Sequence, residues 1–292
     1  MHPLTVVQLL PALEGGGVER STLEIADALV RAGHRARVVS AGGRLVPRLE
    51  ALGAEHIALP IGRKSPWVLR HVPALRRALA GADIVHVRSR MPAWMAQVAL
   101  RGLPEAQRPA LVSTVHGLNS PSRYSRVMTR GARVICVSDT VKAHVLRHYP
   151  ATDPARLVVI PRGIDPADFP PAPWPDRAAR DRVAAQHPRL GGEGPLLVLP
   201  GRGTRLKGHA DALALLARLR ADGVPAVLWM PGAREPGREA YIAALESEAA
   251  RAGVADAVVF TPPTDAIAEA YAASDVVLQL SRKPEAFGRT VI

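Results

Sequence analysis

The chain of 292 residues is 48% hydrophobic and 22% charged, which excludes a disordered or low-complexity polymer and gives length for about two domains, each with its own core. Its single cysteine, Cys136, excludes an internal disulfide and fits a reducing, cytoplasmic setting. The net charge of +12 lies wholly in residues 1–160, with 22 Lys/Arg against 10 Asp/Glu, whereas residues 161–292 carry 16 of each.

The first residues hold only a seven-residue apolar run with no basic leader, so neither a secretory signal nor a spanning helix is expected. Leu4–Leu10 reads as a strand, Gly15, Gly16 and Gly17 as a tight turn, and Val18, Leu23, Ala26, Leu29 and Val30 as one helical face that stops at Gly33. Strand, glycine turn and helix make the opening of a Rossmann-like domain, with backbone amides free to meet an anion. The pattern departs from G-x-G-x-x-G, and Ala41, Gly42 and Gly43 follow the second strand where a ribose-binding acid would stand. A nicotinamide site is therefore not expected.

Further strand-like runs fall at Ala36–Ser40, Asp83–Val87, Ala110–Val115 and Ala132–Val137, with helical patterns between them, and Leu157–Ile160 opens a boundary region. Such alternation predicts a parallel sheet whose ligand sites lie off the carboxyl ends of its strands. His86 with Arg88, His116 with Gly117, and Ser138 with Asp139 occupy those ends. A histidine there is either a core group satisfied by hydrogen bonds or a ligand contact, and Ser138 is equally suited to capping the next helix. The densest basic cluster, Arg63, Lys64, Arg70, Arg76 and Arg77, surrounds a predicted helix. It suits contact with an anionic membrane, or is a solvated arginine face. Without aromatic residues interleaved, nucleic acid is not expected as a partner.

PRGIDPADFPPAPWPD, rich in proline and aspartate, predicts a linker region over 161–194, with Arg162, Gly163 and Asp165 as candidates to line a cleft. Residues 1–160 form the predicted first domain and 195–292 the second. The second begins with LLVLPGRGTRLKGH: a buried strand, then a glycine loop carrying Arg202 and Lys207, then a helix over Gly208–Arg220. Cations flanking a backbone that a ligand can approach closely suit a diphosphate. Strands at Ala226–Met230, Ala257–Phe260 and Val276–Leu280 alternate with helices at Glu239–Arg251 and around Ala266–Ala273.

GGGVE, STVHG, VSD, IPRGID, GRGTRLKG and PEAFG, in this order and spacing, resemble the retaining glycosyltransferases of family 4 across essentially the whole chain. The phrasing around RGID and TRLKGH is most similar to members that build bacterial lipopolysaccharide core or other surface glycans. The resemblance implies an α/β, GT-B fold of two Rossmann-like domains facing across a cleft, the first binding a glycan or glycolipid acceptor and the second a nucleoside-diphosphate sugar. It implies that Arg202 and Lys207 bind the donor diphosphate, that Gly15, Gly16 and Gly17 sit where donor phosphate and acceptor meet, and that His116 contacts the donor sugar. It further implies that Glu285 stabilises the transition state, with backbone amides of Ala286, Phe287 and Gly288 cradling sugar or phosphate at a helix start. No cofactor and no metal are expected, since fixed cations meet the charge of the leaving group.

Two departures from the family pattern stand in the second domain. Ala286 replaces the usual glycine after the first glutamate, and the second, ribose-holding glutamate would fall at position 293, past Ile292. With four predicted strands where the family has about six, the second domain is expected to be incomplete. Two further readings remain, a catalytically inactive GT-B-like sugar-binding or regulatory protein and a basic nucleic-acid-binding protein.

Overall fold

The computed structural model describes residues 2–171, 174 and 176–292. It divides into two compact units, one ending at Arg162 and the other starting at Gly163.

In the first unit, apolar runs that alternate with amphipathic helices form a seven-stranded sheet, all of it parallel. The elements run β1 (Thr5–Leu9), α1 (Gly17–Arg31), β2 (Arg35–Ser40), α2 (Val46–Ala51), β3 (Glu55–Ala58), α3 (Val72–Ala78) and β4 (Ile84–Val87). They continue through α4 (Arg90–Arg101), β5 (Ala110–Val115), β6 (Arg133–Cys136), α5 (Asp139–His148) and β7 (Leu157–Val159). The spatial order is β3-β2-β1-β4-β5-β6-β7. The chain winds outward from β1 to β3 and then crosses back to β4, so the loops after β1 and β4 diverge and open a crevice at the carboxyl edge. Every residue of β1 is buried, as a central strand covered by helices on both faces requires. Strand β3 was not predicted, because its sequence EHIA carries no apolar run; it is a half-exposed edge strand that needs only one partner.

The second unit contains α6 (Arg177–Gln186), β8 (Leu196–Val198), α7 (His209–Ala221), β9 (Val227–Pro231), α8 (Glu239–Arg251), β10 (Val258–Thr261), α9 (Ile267–Ala272) and β11 (Val276–Val277). Its parallel sheet has the order β10-β9-β8-β11, and the crossing point lies between β8 and β11. Alternate residues of β8 point to opposite faces. Leu197 packs with Leu213, Leu216, Ile242 and Leu245 of α7 and α8, whereas Leu196 and Val198 pack with Ala179, Val183 and Ala270 of α6 and α9.

Helix α6 lies inside the stretch 161–194 expected to link the domains. Asp176 caps it by accepting from the Ala179 backbone N–H at 2.9 Å, and Ala179 and Val183, one turn apart, bury its inner face. Strand β11 is shorter than its predicted run because β8, with which it pairs, ends at Val198 before Pro200, which has no N–H to continue a ladder. Among the described residues no helix is long and apolar enough to cross a membrane.

Candidate active site

The crossing point of the second sheet brings two loops together. Beyond β8, the chain runs through Gly201, Gly203 and the short 3-10 turn Arg205–Lys207 to the start of α7; beyond β11 it runs through Gln279 and Ser281 to Glu285. Gly203 has no room for a side chain, because a Cβ there would lie 2.2 Å from the Ala233 carbonyl oxygen. Gly208 holds a left-handed backbone, φ 76°, and packs directly on Leu280. Arg282 then ties the loops, its backbone N–H donating to Leu206 O at 2.9 Å and its guanidinium donating to both Asp211 carboxylate oxygens at 2.7 and 2.8 Å.

This scaffold places Lys207 Nζ 2.7 Å from Glu285 Oε1. The same oxygen accepts from Gln279 Nε2 at 3.2 Å and from the Ser281 hydroxyl. Partial burial pushes the Glu285 carboxyl up, but the Lys207 and Ser281 bonds, the Lys207 charge and the Gln279 bond outweigh it, so its pKa lies below the ordinary carboxylate value. Lys207 and Glu285, read from sequence as separate contacts to diphosphate and sugar, therefore form one ion pair. Arg202 is exposed on the same loop. Ala286 and Phe287 lie in a bend after Glu285. Gly288 adopts φ 80°, and residues 289–291 form a turn closed by the Val291 N–H on Gly288 O at 3.0 Å, where sequence predicted a helix start.

In the first unit the crossing point holds a buried polar cluster that sequence reading only partly identified. Arg88, directly after β4, is 3% exposed; Nη1 donates to Gln8 Oε1 at 3.1 Å and Nη2 to the Ser21 hydroxyl. Gln8 in turn donates to Thr22 O at 3.0 Å, which locks it to α1. Among the described residues the Arg88 Nε has no hydrogen-bond partner. Burial, helped by nearby Arg162 and opposed by Glu24, pushes its pKa down to about 9, which leaves it cationic at neutral pH. The signals were a glutamine inside the apolar run TVVQLL and an arginine at a strand end.

His116 follows β5. Arg162 Nη2 meets its Nδ1, and because a guanidinium can only donate, Nδ1 is the bare nitrogen and the ring proton sits on Nε2. That Nε2 is buried without a partner among the described residues. Burial, with the charges of Arg88, Arg162 and His86, holds the His116 pKa well below its ordinary value, so the ring is a neutral donor. Arg162 Nη1 also reaches Gly17 O at 3.4 Å.

His86 lies within β4 rather than beyond it, and its Nε2 is 2.7 Å from the Thr114 hydroxyl. Burial and then Arg88 lower its pKa to about 3. A histidine neutral when folded loses stabilisation as pH falls below its unfolded value near 6.5, since only the unfolded chain takes up the proton, until the folded pKa is reached. Between pH 7 and pH 4.5 this one group removes about 2–3 kcal/mol. Urea unfolding of His86→Gln at both pH values should therefore lose stability less steeply than the parent chain, and equal losses would refute the assignment.

The other candidates occupy local roles. The amides of Gly15 and Gly16 both donate to Glu19 Oε2, the latter at 2.7 Å, so the glycine turn is held by its own helix's carboxylate. Gly17 is the first residue of α1. Ser138 caps α5, accepting from the Val141 N–H at 3.2 Å. Asp165 belongs to the second unit and closes a turn, Oδ1 accepting from the Ala167 N–H at 2.9 Å, while Gly163 stands at the first residue of that unit. Among the described residues no group of three or more His, Cys, Asp or Glu is placed to hold a metal ion.

Comparison with known proteins bears on what these two sites belong to. Residues 15–168 match the model of Glycosyltransferase Family 4, which is more than half of the chain, and residues 183–292 match that of Glycosyl transferases group 1. The chain belongs to glycosyltransferase family 4. A D-inositol 3-phosphate glycosyltransferase of Jonesia denitrificans is 33% identical over 172 residues, 57% of this chain and 39% of that relative. The matched part thus spans about two fifths of that protein. A glycosyltransferase from Rickettsia africae superposes with a TM-score of 0.85 at 28% identity, covering 100% of this chain and 76% of the other. HepE of Anabaena, in complex with UDP and glucose, superposes with a TM-score of 0.83 at 20% identity, covering 99% and 77%. The seven-stranded parallel sheet and the second parallel sheet are those of the GT-B glycosyltransferase structures.

Proposed function

We propose that this family 4 chain transfers a sugar from a nucleoside-diphosphate sugar to a surface-glycan acceptor, the lipopolysaccharide core being the first to test. The observation that carries the reading is the pairing of Lys207 with Glu285 at the carboxyl edge of β8 and β11, beside exposed Arg202. Sugar transfer expels a nucleoside diphosphate, and fixed cations beside a glycine loop can meet the charge that develops on the leaving oxygen without a metal. Lys207 and Arg202 are assigned to that diphosphate. Glu285, ionised and held by three donors, is assigned to the sugar's hydroxyls and the positive charge that builds at the anomeric carbon. His116, a neutral donor at Nε2, is assigned to a sugar hydroxyl.

The reaction is proposed to retain anomeric configuration. The leaving phosphate oxygen accepts the acceptor hydroxyl's proton as the glycosidic bond forms on the same face, and the nucleoside diphosphate departs. The first unit, with the excess of positive charge and buried Arg88, is assigned to an anionic acceptor, and the enzyme is placed on the cytoplasmic side of the membrane. Its lipopolysaccharide acceptor rests on the resemblance around RGID and TRLKGH.

A melting-temperature panel of UDP-, GDP-, ADP- and CMP-sugars tests the donor. One nucleotide should raise the midpoint by several degrees at saturating concentration, UDP-glucose being the first candidate from the HepE complex, and Arg202→Ala should diminish the shift. No response to any of the four would sink the transferase reading.

A further inference from the structure

Beside the crossing point of the first sheet lies an apolar pocket of about 620 Å³ that none of the roles above uses. It is lined by Met91, Trp94, Met95 and Val98 on one face of α4, by Val68 and Leu69 of the 3-10 turn Pro66–His71, and by Tyr124. The volume falls within the range of pockets that enclose a small ligand, roughly 300–1,000 Å³. Met95 is fully buried, whereas Leu69 is 50% exposed and the adjacent Trp67 is 77% exposed. Two methionines and aromatic rings give a lining that adapts to a flexible chain.

The surroundings specify charge. Lys64 lines the pocket, and Arg90 at the start of α4 stacks over the Tyr124 ring at 5.3 Å, while Arg130 covers Trp94 at 5.6 Å. Trp94 donates its indole N–H to Tyr124 O at 3.1 Å, which fixes the aromatic wall. Between Ile61 and Arg130 the sequence holds 12 Lys/Arg against two acids, Asp83 and Glu105. Asp83 accepts from the Thr5 N–H at the amino end of β1, away from the pocket. An apolar cavity rimmed by uncompensated cations complements a molecule with an apolar tail and an anionic head.

We infer that this pocket receives the hydrocarbon part of a single anionic amphiphile, with its phosphate or carboxylate head on Lys64 and Arg90. The exposed Trp67 and Leu69 beside it also suit insertion into a bilayer, and monomeric phosphates set against vesicles separate the two. That the amphiphile is the acceptor, presented to the first unit's crossing point, rests on the glycosyltransferase reading.

Titration calorimetry of the whole chain with n-butyl, n-hexyl, n-octyl and n-decyl phosphate, each below its micelle concentration, tests the inference. Affinity should rise roughly fourfold per methylene until the pocket is full and then level off. Leu69→Glu, a change at a half-exposed wall, and Lys64→Glu at the rim should each weaken n-decyl phosphate at least tenfold with the melting temperature kept. Affinity independent of chain length, or unchanged in a folded Leu69→Glu protein, would overturn it. So would binding to anionic phospholipid vesicles with none to the monomeric phosphates. The UDP-sugar shift, measured on the same samples, separates the two readings. If alkyl phosphates bind and no nucleotide does, the pocket stands and its assignment to an acceptor falls.

Discussion

Replacing Lys207 by methionine is expected to lower kcat/KM with a nucleoside-diphosphate sugar by roughly 10²–10³-fold. The melting temperature should fall by no more than about 2 °C. Methionine keeps the aliphatic stem, which lies against Gly201, and removes only the ammonium. The Lys207–Glu285 pair is partly open to solvent, with side-chain exposures of 28% and 35%, so its contribution to folding is at most about 1 kcal/mol. A cation aimed at a developing negative charge is worth more, about 3–4 kcal/mol, because it acts without reorganising at the moment of bond cleavage. Glu285→Gln separates the two jobs Lys207 could do. If the lysine served only to hold the carboxylate, both variants would lose the same rate and bind the nucleoside diphosphate as the parent does. If it grips the leaving group, Lys207→Met weakens the free nucleoside diphosphate in calorimetry and Glu285→Gln leaves that affinity nearly intact. Unaltered diphosphate affinity in Lys207→Met would sink the assignment.

The elements that were legible from sequence are those whose cause is local. Central strands such as β1 and β8 are covered on both faces and so must be continuous apolar runs, and Gly208 marks a backbone that only glycine adopts readily. Elements set by a neighbour were not legible. Strand β3 has a polar sequence and exists because β2 offers it an edge, and α6 is a helix in a proline-rich stretch because Ala179 and Val183 find the second sheet's outer face. The site divides in the same way. Lys207 and Glu285 each carried a recognisable motif, but their direct bond depends on the β8/β11 crossing, which joins residues 78 positions apart. Arg88 was noted at a strand end, but its burial was not legible, because an arginine there reads as surface. Its burial follows from Gln8 and Ser21, two polar residues whose convergence requires β1 and α1 to be placed first. The glycine turn shows the opposite limit. Its amides read as open to an anion, and Glu19, one helical turn along, satisfies two of them in a capping box that the spacing GGGVE already contained.

Gly208→Ala is expected to cost about 3 kcal/mol or more of folding stability, whereas Gly223→Ala costs about 1 kcal/mol. The two glycines flank α7 and share the same backbone penalty, with φ 76° and 82°. They differ in what surrounds them. Nothing lies within 4 Å of a Cβ at Gly223, but one at Gly208 would stand 2.2 Å from Leu280 O and 2.7 Å from Leu280 Cβ. Those are a backbone atom and the root of a side chain, so no rotamer change relieves the clash and the strand-to-loop segment after β11 must move. That segment carries Gln279, Ser281 and Glu285, and the Arg282 bonds to Leu206 and Asp211 hold it against the start of α7. The same substitution should therefore lower kcat/KM even at temperatures where the variant is fully folded, since Glu285 leaves Lys207. Urea midpoints for the two variants, read beside their initial rates, decide the matter. Equal stability losses would show that the loop yields without cost and that the Leu280 contact does not fix the geometry of the Lys207–Glu285 pair.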